Sequence, residues 1–167
     1  AGFLMVEKFN FTVAEISLLL IANAAINVVF APKIGRLIQR FGERKSLIFE
    51  YVGLSLIFAG YAFVESSAFA VFLYIADHLL FSIAIALKTY FQKIADPADI
   101  ASSAGVSFTI NHIAAVFIPV VFGLVWLYSP SLVFLAGSGM AIISLLLAFN
   151  MPANPASGNE VLLGKFS

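Results

Sequence analysis

From Val13 onward, apolar side chains fill almost every position in long runs, and polar residues are confined to short breaks between them. Continuous runs of this kind match neither the alternation of a half-buried strand nor the striped face of a soluble helix. They match the stretch of about 20 apolar residues that an α-helix needs to cross a bilayer. Five such runs predict spans over about 12–38, 46–64, 68–94, 101–128 and 131–149. Ala1 to Val6 is apolar but too short to span, and reads as the remnant of a sixth helix, followed by a turn at Glu7-Lys8-Phe9-Asn10. Thr12-Val13-Ala14-Glu15 has the form of a capping box, with Phe11 and Ile16 as its hydrophobic staple. Pro32 is expected to bend the end of the first span and Pro119 to kink the fourth, while Asp99 is placed to cap that fourth helix. After Pro152, residues 153–167 read as a flexible tail. The predicted architecture is an all-α integral membrane half-domain over residues 1–152, with five complete transmembrane helices and the remnant of another.

Composition makes lipid the solvent. Hydrophobic residues make up 62% of the chain, with 18 Phe; a soluble domain runs to about 45–50% apolar. Cysteine is absent, which excludes disulfides and thiolate metal sites. No N-terminal signal peptide is legible, and the missing initiating Met suggests a trimmed sequence. The charges then test the topology. Eight of the nine Lys and Arg (Lys33, Arg36, Arg40, Arg44, Lys45, Lys88, Lys93, Lys165) fall at span ends assigned to one side, and only Lys8 falls on the other. By the positive-inside rule that side is cytoplasmic, and the C-terminus with it. The expected location is a cell membrane, a bacterial inner membrane by preference.

The densest charge lies in Gly35-Arg36-Leu37-Ile38-Gln39-Arg40-Phe41-Gly42-Glu43-Arg44-Lys45, where four of eleven residues are cationic. This glycine-punctuated basic turn resembles the signature loop of the major facilitator superfamily of transporters, G-x-x-x-(D)-R-x-G-x-R-K, at Gly35, Arg40, Gly42, Arg44 and Lys45. It departs at Gln39, where the family usually carries an acid, and at Glu43, where a base is common. The resemblance implies that the loop joins the second and third helices of a triplet. The spans would then be most of the C-terminal six-helix half, with the N-terminal half of the same protein as missing partner. It also implies that the loop's charges latch helix ends in one transport state and release them in the other. Glu50 is expected to pair locally with Arg40 or Arg44, Asp96 and Asp99 are further candidate partners, and Lys88 and Lys93 read as snorkelling cations.

Polar groups deep in a span are costly and face protein or water. Asp77-His78 lies near the middle of the third span. On a helical wheel Tyr74, Asp77, Phe81, Ala84 and Lys88 share one face, with His78, Ser82, Ile85 and Thr89 on the adjoining one. Asp77 is suited to bind a proton or a cationic substrate group, and His78 to relay a proton; the bland alternative is a satisfied pair holding helices together. Asn23 and Asn27 on the first span, and Asn111 and His112 on the fourth, are read either as substrate-pathway groups or as interhelical glue. Ser55-x-x-x-Ala59 and Gly137-x-x-x-Ala141 mark close helix contacts.

Neither histidine has a metal partner by spacing, and no nucleotide loop, nucleophile elbow or zinc helix is present. No metal, cofactor or nucleic-acid partner is therefore expected; the partners are membrane lipid and a small solute. The functional expectation is a secondary transporter, not an enzyme, proton-coupled through Asp77 and His78. The alternative is a membrane-embedded binding or scaffolding module that does not transport.

Overall fold

The computed structural model describes residues 1–163, all helix and connection apart from one isolated bridge between Ala156 and Asn159. In chain order the helices are α1 (Gly2–Phe9), α2 (Val13–Phe41), α3 (Glu43–Phe63), α4 (Ser67–Phe81), α5 (Ile85–Ile94), α6 (Ile100–Tyr128) and α7 (Pro130–Phe149). A single 3₁₀ turn, Ser82–Ala84, joins α4 to α5, so these two make one span. Five stretches are long and apolar enough to cross a membrane: α2, α3, α4 with α5, α6 and α7. Their outer surfaces carry large exposed apolar side chains such as Leu18, Phe49, Phe72 and Phe117, as a lipid-facing surface requires.

The local signals explain where the helices begin and end. Thr12 caps α2: its hydroxyl accepts from the Glu15 amide, while the Glu15 carboxylate accepts from the Thr12 amide at 2.7 Å. Helix α1 runs three residues further than expected, taking in Glu7, Lys8 and Phe9, and stops where Asn10 enters the left-handed region (φ 55°). That conformation suits Asn and Gly better than other residues. The basic stretch is less of a loop than its sequence implied. Residues 35–41 finish α2, and Gly42 alone separates it from α3. Gly42 holds φ 83°, which a side chain would strain. Its carbonyl then accepts from the Ser46 amide and, at 2.8 Å, from the Ser46 hydroxyl.

Helices α2 and α6 run without interruption past Pro32 and Pro119. The one interruption of α-helical geometry within a described span falls in the third, which contains neither Pro nor Gly. There the Ser82 hydroxyl, whose single hydrogen is shared with the Asn27 side-chain oxygen, lies 3.0 Å from the His78 carbonyl, a competition for the backbone acceptor that bends helices. Three residues in 3₁₀ geometry turn faster than α-helical ones, so the polar face drawn through Tyr74, Asp77, Phe81 and Lys88 does not continue. Tyr74 is buried, Phe81 is 68% exposed and Lys88 faces outward.

Helix α3 is the centre of the bundle. On one side it meets α7: the Ser138 hydroxyl donates to the Ser55 carbonyl at 2.9 Å, Ser131 donates to the Ala62 carbonyl at 2.7 Å, and Tyr61 stacks on Phe134. Gly137 leaves room for the Phe58 ring. On the other side α4 lies so close that a Cβ on Gly53 would stand 2.3 Å from a Leu80 methyl. The two small-residue pairs read from sequence therefore serve the α3–α7 contact, and Gly53 adds a contact to α4. By contrast, no residue of α6 is buried; it rests on α7 and, through Trp126, on Phe3 and Glu7.

After α7 the chain turns back. Met151 and Pro152 are buried, Asn150 exchanges hydrogen bonds with Leu162 and Leu163, and the Tyr90 hydroxyl donates to the Glu160 carbonyl. The stretch expected to be a free tail is thus bonded to the helix ends as far as Leu163. Lys165 lies outside the described residues.

Candidate functional site

Five of the polar residues singled out in sequence come together where α2 meets the break in the third span. Asp77 and His78 lie in the last turns of α4, with the His78 Nδ1 2.9 Å from the Tyr74 carbonyl and 3.9 Å from the Asp77 carboxylate. A carbonyl only accepts, so Nδ1 carries the hydrogen and the neutral ring presents Nε2 as an acceptor. The Tyr74 and His78 rings lie 4.4 Å apart. From α2, the Asn27 side-chain nitrogen donates to the Asn23 carbonyl one turn earlier at 3.0 Å. Its oxygen accepts from the Ser82 hydroxyl at 2.5 Å. Asn23 is 3% exposed, so this amide pair sits inside the protein rather than in lipid.

Ser82 ties the cluster together, and it was not among the candidates. Its place beside His78 was legible on the helical wheel. Its bond to Asn27, 55 positions away in sequence, was not. The Asp77 carboxylate remains open: its side chain is 19% exposed and receives no hydrogen bond from any described residue. Asn111 and His112 do not join this group. Both are exposed on α6, where the His112 Nδ1 lies 2.9 Å from the Phe108 carbonyl of its own helix. Among the described residues no three His, Cys, Asp or Glu gather as a metal site would require.

A second set of charges lies at the end of the bundle where the basic stretch, the end of α5 and the end of α7 meet. Glu43, whose side chain is 7% exposed, pairs with Lys93 at 2.6 Å. The position that departs from the family pattern by carrying an acid thus has its counter-charge on the third span, and Lys93 is no idle snorkelling cation. Arg44 donates to the Phe149 carbonyl at 3.1 Å, satisfying an orphan acceptor at the end of α7. Glu50 does not do what was expected. It is 1% exposed, makes no ion pair with Arg40 or Arg44, and leaves one carboxylate oxygen without a partner among the described residues. Seven residues into α3, it points into the packed bundle instead of back toward the turn. Asp96 bonds the Ala98 amide of its own turn, and the Asp99 side chain caps nothing although it stands at the start of α6. Arg36, Gln39, Arg40 and Lys45 are exposed; Arg36 bonds the Pro32 carbonyl and Arg40 lies over the Phe41 ring. Gly35 has open space where a Cβ would sit.

Membrane-length helices packed around α3, with a polar cluster inside and a charged set at one end, define a multi-pass membrane protein. The sequence model of the Major Facilitator Superfamily matches residues 2–164, and the chain belongs to that superfamily. It is accordingly built as a membrane transporter, and the superfamily is not an enzyme class. Comparison with curated proteins and with solved structures returns no match.

Proposed function

We propose that this chain is the C-terminal half of a secondary transporter that moves a small solute by alternating access, coupled to protons through Asp77 and His78. The observation that carries the reading is the open carboxylate of Asp77 next to a helix break inside a span. Interrupted helices are where transporters of this kind form midplane sites, because the freed backbone and the adjoining polar side chains can meet solute and ion there. An ionisable residue at such depth is retained at a cost of about 2.5–3.5 kcal/mol on insertion scales, which argues for a use.

Two further features support it. Helix α6 presents Asn111 and His112 outward along with Ser107, and polar groups within a span face protein or water rather than lipid. In this reading they face the N-terminal half across the solute pathway. The Glu43–Lys93 pair and the Arg44–Phe149 contact then form the cytoplasmic latch, and the basic residues around Arg40 hold that end inside a cell membrane. The test is Asp77→Asn in the protein made from the complete reading frame, reconstituted in proteoliposomes. Loss of proton-driven solute movement with normal insertion is expected. Undiminished coupled transport removes Asp77 from the mechanism.

A further inference from the structure

The hydrogen-bonding capacity left open at Asp77 and His78 themselves has one chemical sense. The Asp77 carboxylate accepts and has no donor among the described residues. With its Nδ1 hydrogen committed to the Tyr74 carbonyl, neutral His78 offers only the Nε2 lone pair. The Asn27 oxygen already accepts from Ser82, and the Asn27 nitrogen donates to Asn23. Of the elements packed on α4, α2 brings only these neutral amides. Helix α3 brings Tyr61, whose buried hydroxyl has no partner among the described residues and can donate or accept. At the start of α1 the Ala1 amino group lies beyond ion-pair distance, and the helix itself contributes Tyr74 and His78. Among the described residues no lysine or arginine pairs with the carboxylate.

We infer that the solute group recognised at this site is a protonated amine, held by N–H donation to Asp77 and to the His78 Nε2 beside the Tyr74 ring. An ammonium supplies the donors that Asp77 and His78 lack and the positive charge that the carboxylate asks for, and an aromatic face nearby adds to the attraction. A carboxylate or phosphate would meet the Asp77 charge and the His78 lone pair, both acceptors, and the Tyr61 hydroxyl offers it a donor but no opposite charge. The inference deepens the transport reading and, for the exchange step that follows, rests on it. One carboxyl group cannot hold a proton and an ammonium at once. Asp77–COOH and R–NH₃⁺ give Asp77–COO⁻ paired with R–NH₃⁺ and one released H⁺, so each amine entering displaces one proton. Such a site exchanges amine for proton across the membrane.

The experiment uses the protein from the complete reading frame, with radiolabelled benzylamine as probe at neutral pH. Saturable binding to the detergent-purified protein is expected, displaced by unlabelled benzylamine and neither by benzyl alcohol nor by benzoate. Asp77→Asn is expected to weaken it by about ten- to a hundredfold, as for loss of a hydrogen bond to a charged group, and Asp77→Glu to retain it. Equal displacement by benzoate or benzyl alcohol, a pattern read on the unaltered protein, overturns the inference, as does unchanged binding by a folded Asp77→Asn variant. Proteoliposomes separate the two readings. A protein that carries neutral or anionic solutes but neither binds nor carries benzylamine refutes the amine site and leaves the transporter standing. Saturable, Asp77-dependent amine binding with no movement of any solute supports the site and refutes transport.

Discussion

Removing either partner of the Glu43–Lys93 pair breaks the same 2.6 Å contact, yet the two removals should not cost the same. Lys93 is 51% exposed, so when Glu43→Gln deletes the acid, the freed ammonium extends into water. What is lost is a half-exposed ion pair, about 0.2–1 kcal/mol, and the attraction of a carboxylate to the first turn of α3, about 0.3–1 kcal/mol. The expected sum is about 1 kcal/mol. Lys93→Ala leaves the Glu43 carboxylate, 7% exposed, without its counter-charge. A buried acceptor left unmade costs about 1–3 kcal/mol, more when charged, so a loss of about 2 kcal/mol is expected. The double variant removes the stranded charge and should recover about 1 kcal/mol relative to Lys93→Ala. Unfolding in mixed detergent micelles with rising SDS, followed by far-ultraviolet circular dichroism, gives the three values. A double variant no more stable than Lys93→Ala refutes the claim that a buried, partnered carboxylate organises this end of the bundle.

The other expectations concern the remaining joints of the structure. Combining Asn27→Ala with Ser82→Ala in a double-mutant cycle should reveal a coupling of about 0.6–1.7 kcal/mol, the range for interhelical hydrogen bonds in membranes; strictly additive losses would deny the α2–third-span tie. Gly42→Ala should destabilise by about 1–3 kcal/mol through its positive φ, measured by the same unfolding assay, whereas Gly35→Ala, with open space at its Cβ, should be close to neutral. Because the chain has no native cysteine, Gln39→Cys and Gln92→Cys are expected to react with a membrane-impermeant maleimide from the cytoplasmic side and Ser66→Cys from the opposite one. Labelling of residues 39 and 92 from different sides would end the topological reading.

The spans were legible because lipid imposes a requirement that a linear reading can check: about 20 consecutive apolar residues, with cations at the ends. The capping box at Thr12 and Glu15 was equally legible, since its partners are three residues apart and need nothing beyond their own helix. Asp77, His78, Asn23 and Asn27 stood out by the same logic, as polar groups where polarity is costly. What a wheel drawn on one span missed was the change of pitch at Ser82–Ala84, which neither Pro nor Gly announced.

Sequence by itself determined what is local or imposed by the solvent: the number of spans, the glycine at the α2–α3 break and the polar residues in need of partners. Tertiary structure alone decided which partners those are. It sent Glu50 into the bundle rather than to Arg40 or Arg44, gave Glu43 to Lys93, joined Ser82 to Asn27, and left Asn111 and His112 outside the cluster. The physical reason is that an ion pair or a hydrogen bond acts over a few ångströms. Which side chains come within that reach depends on how the helices pack around α3, through small residues such as Gly53 and Gly137 whose effect lies in the space they leave.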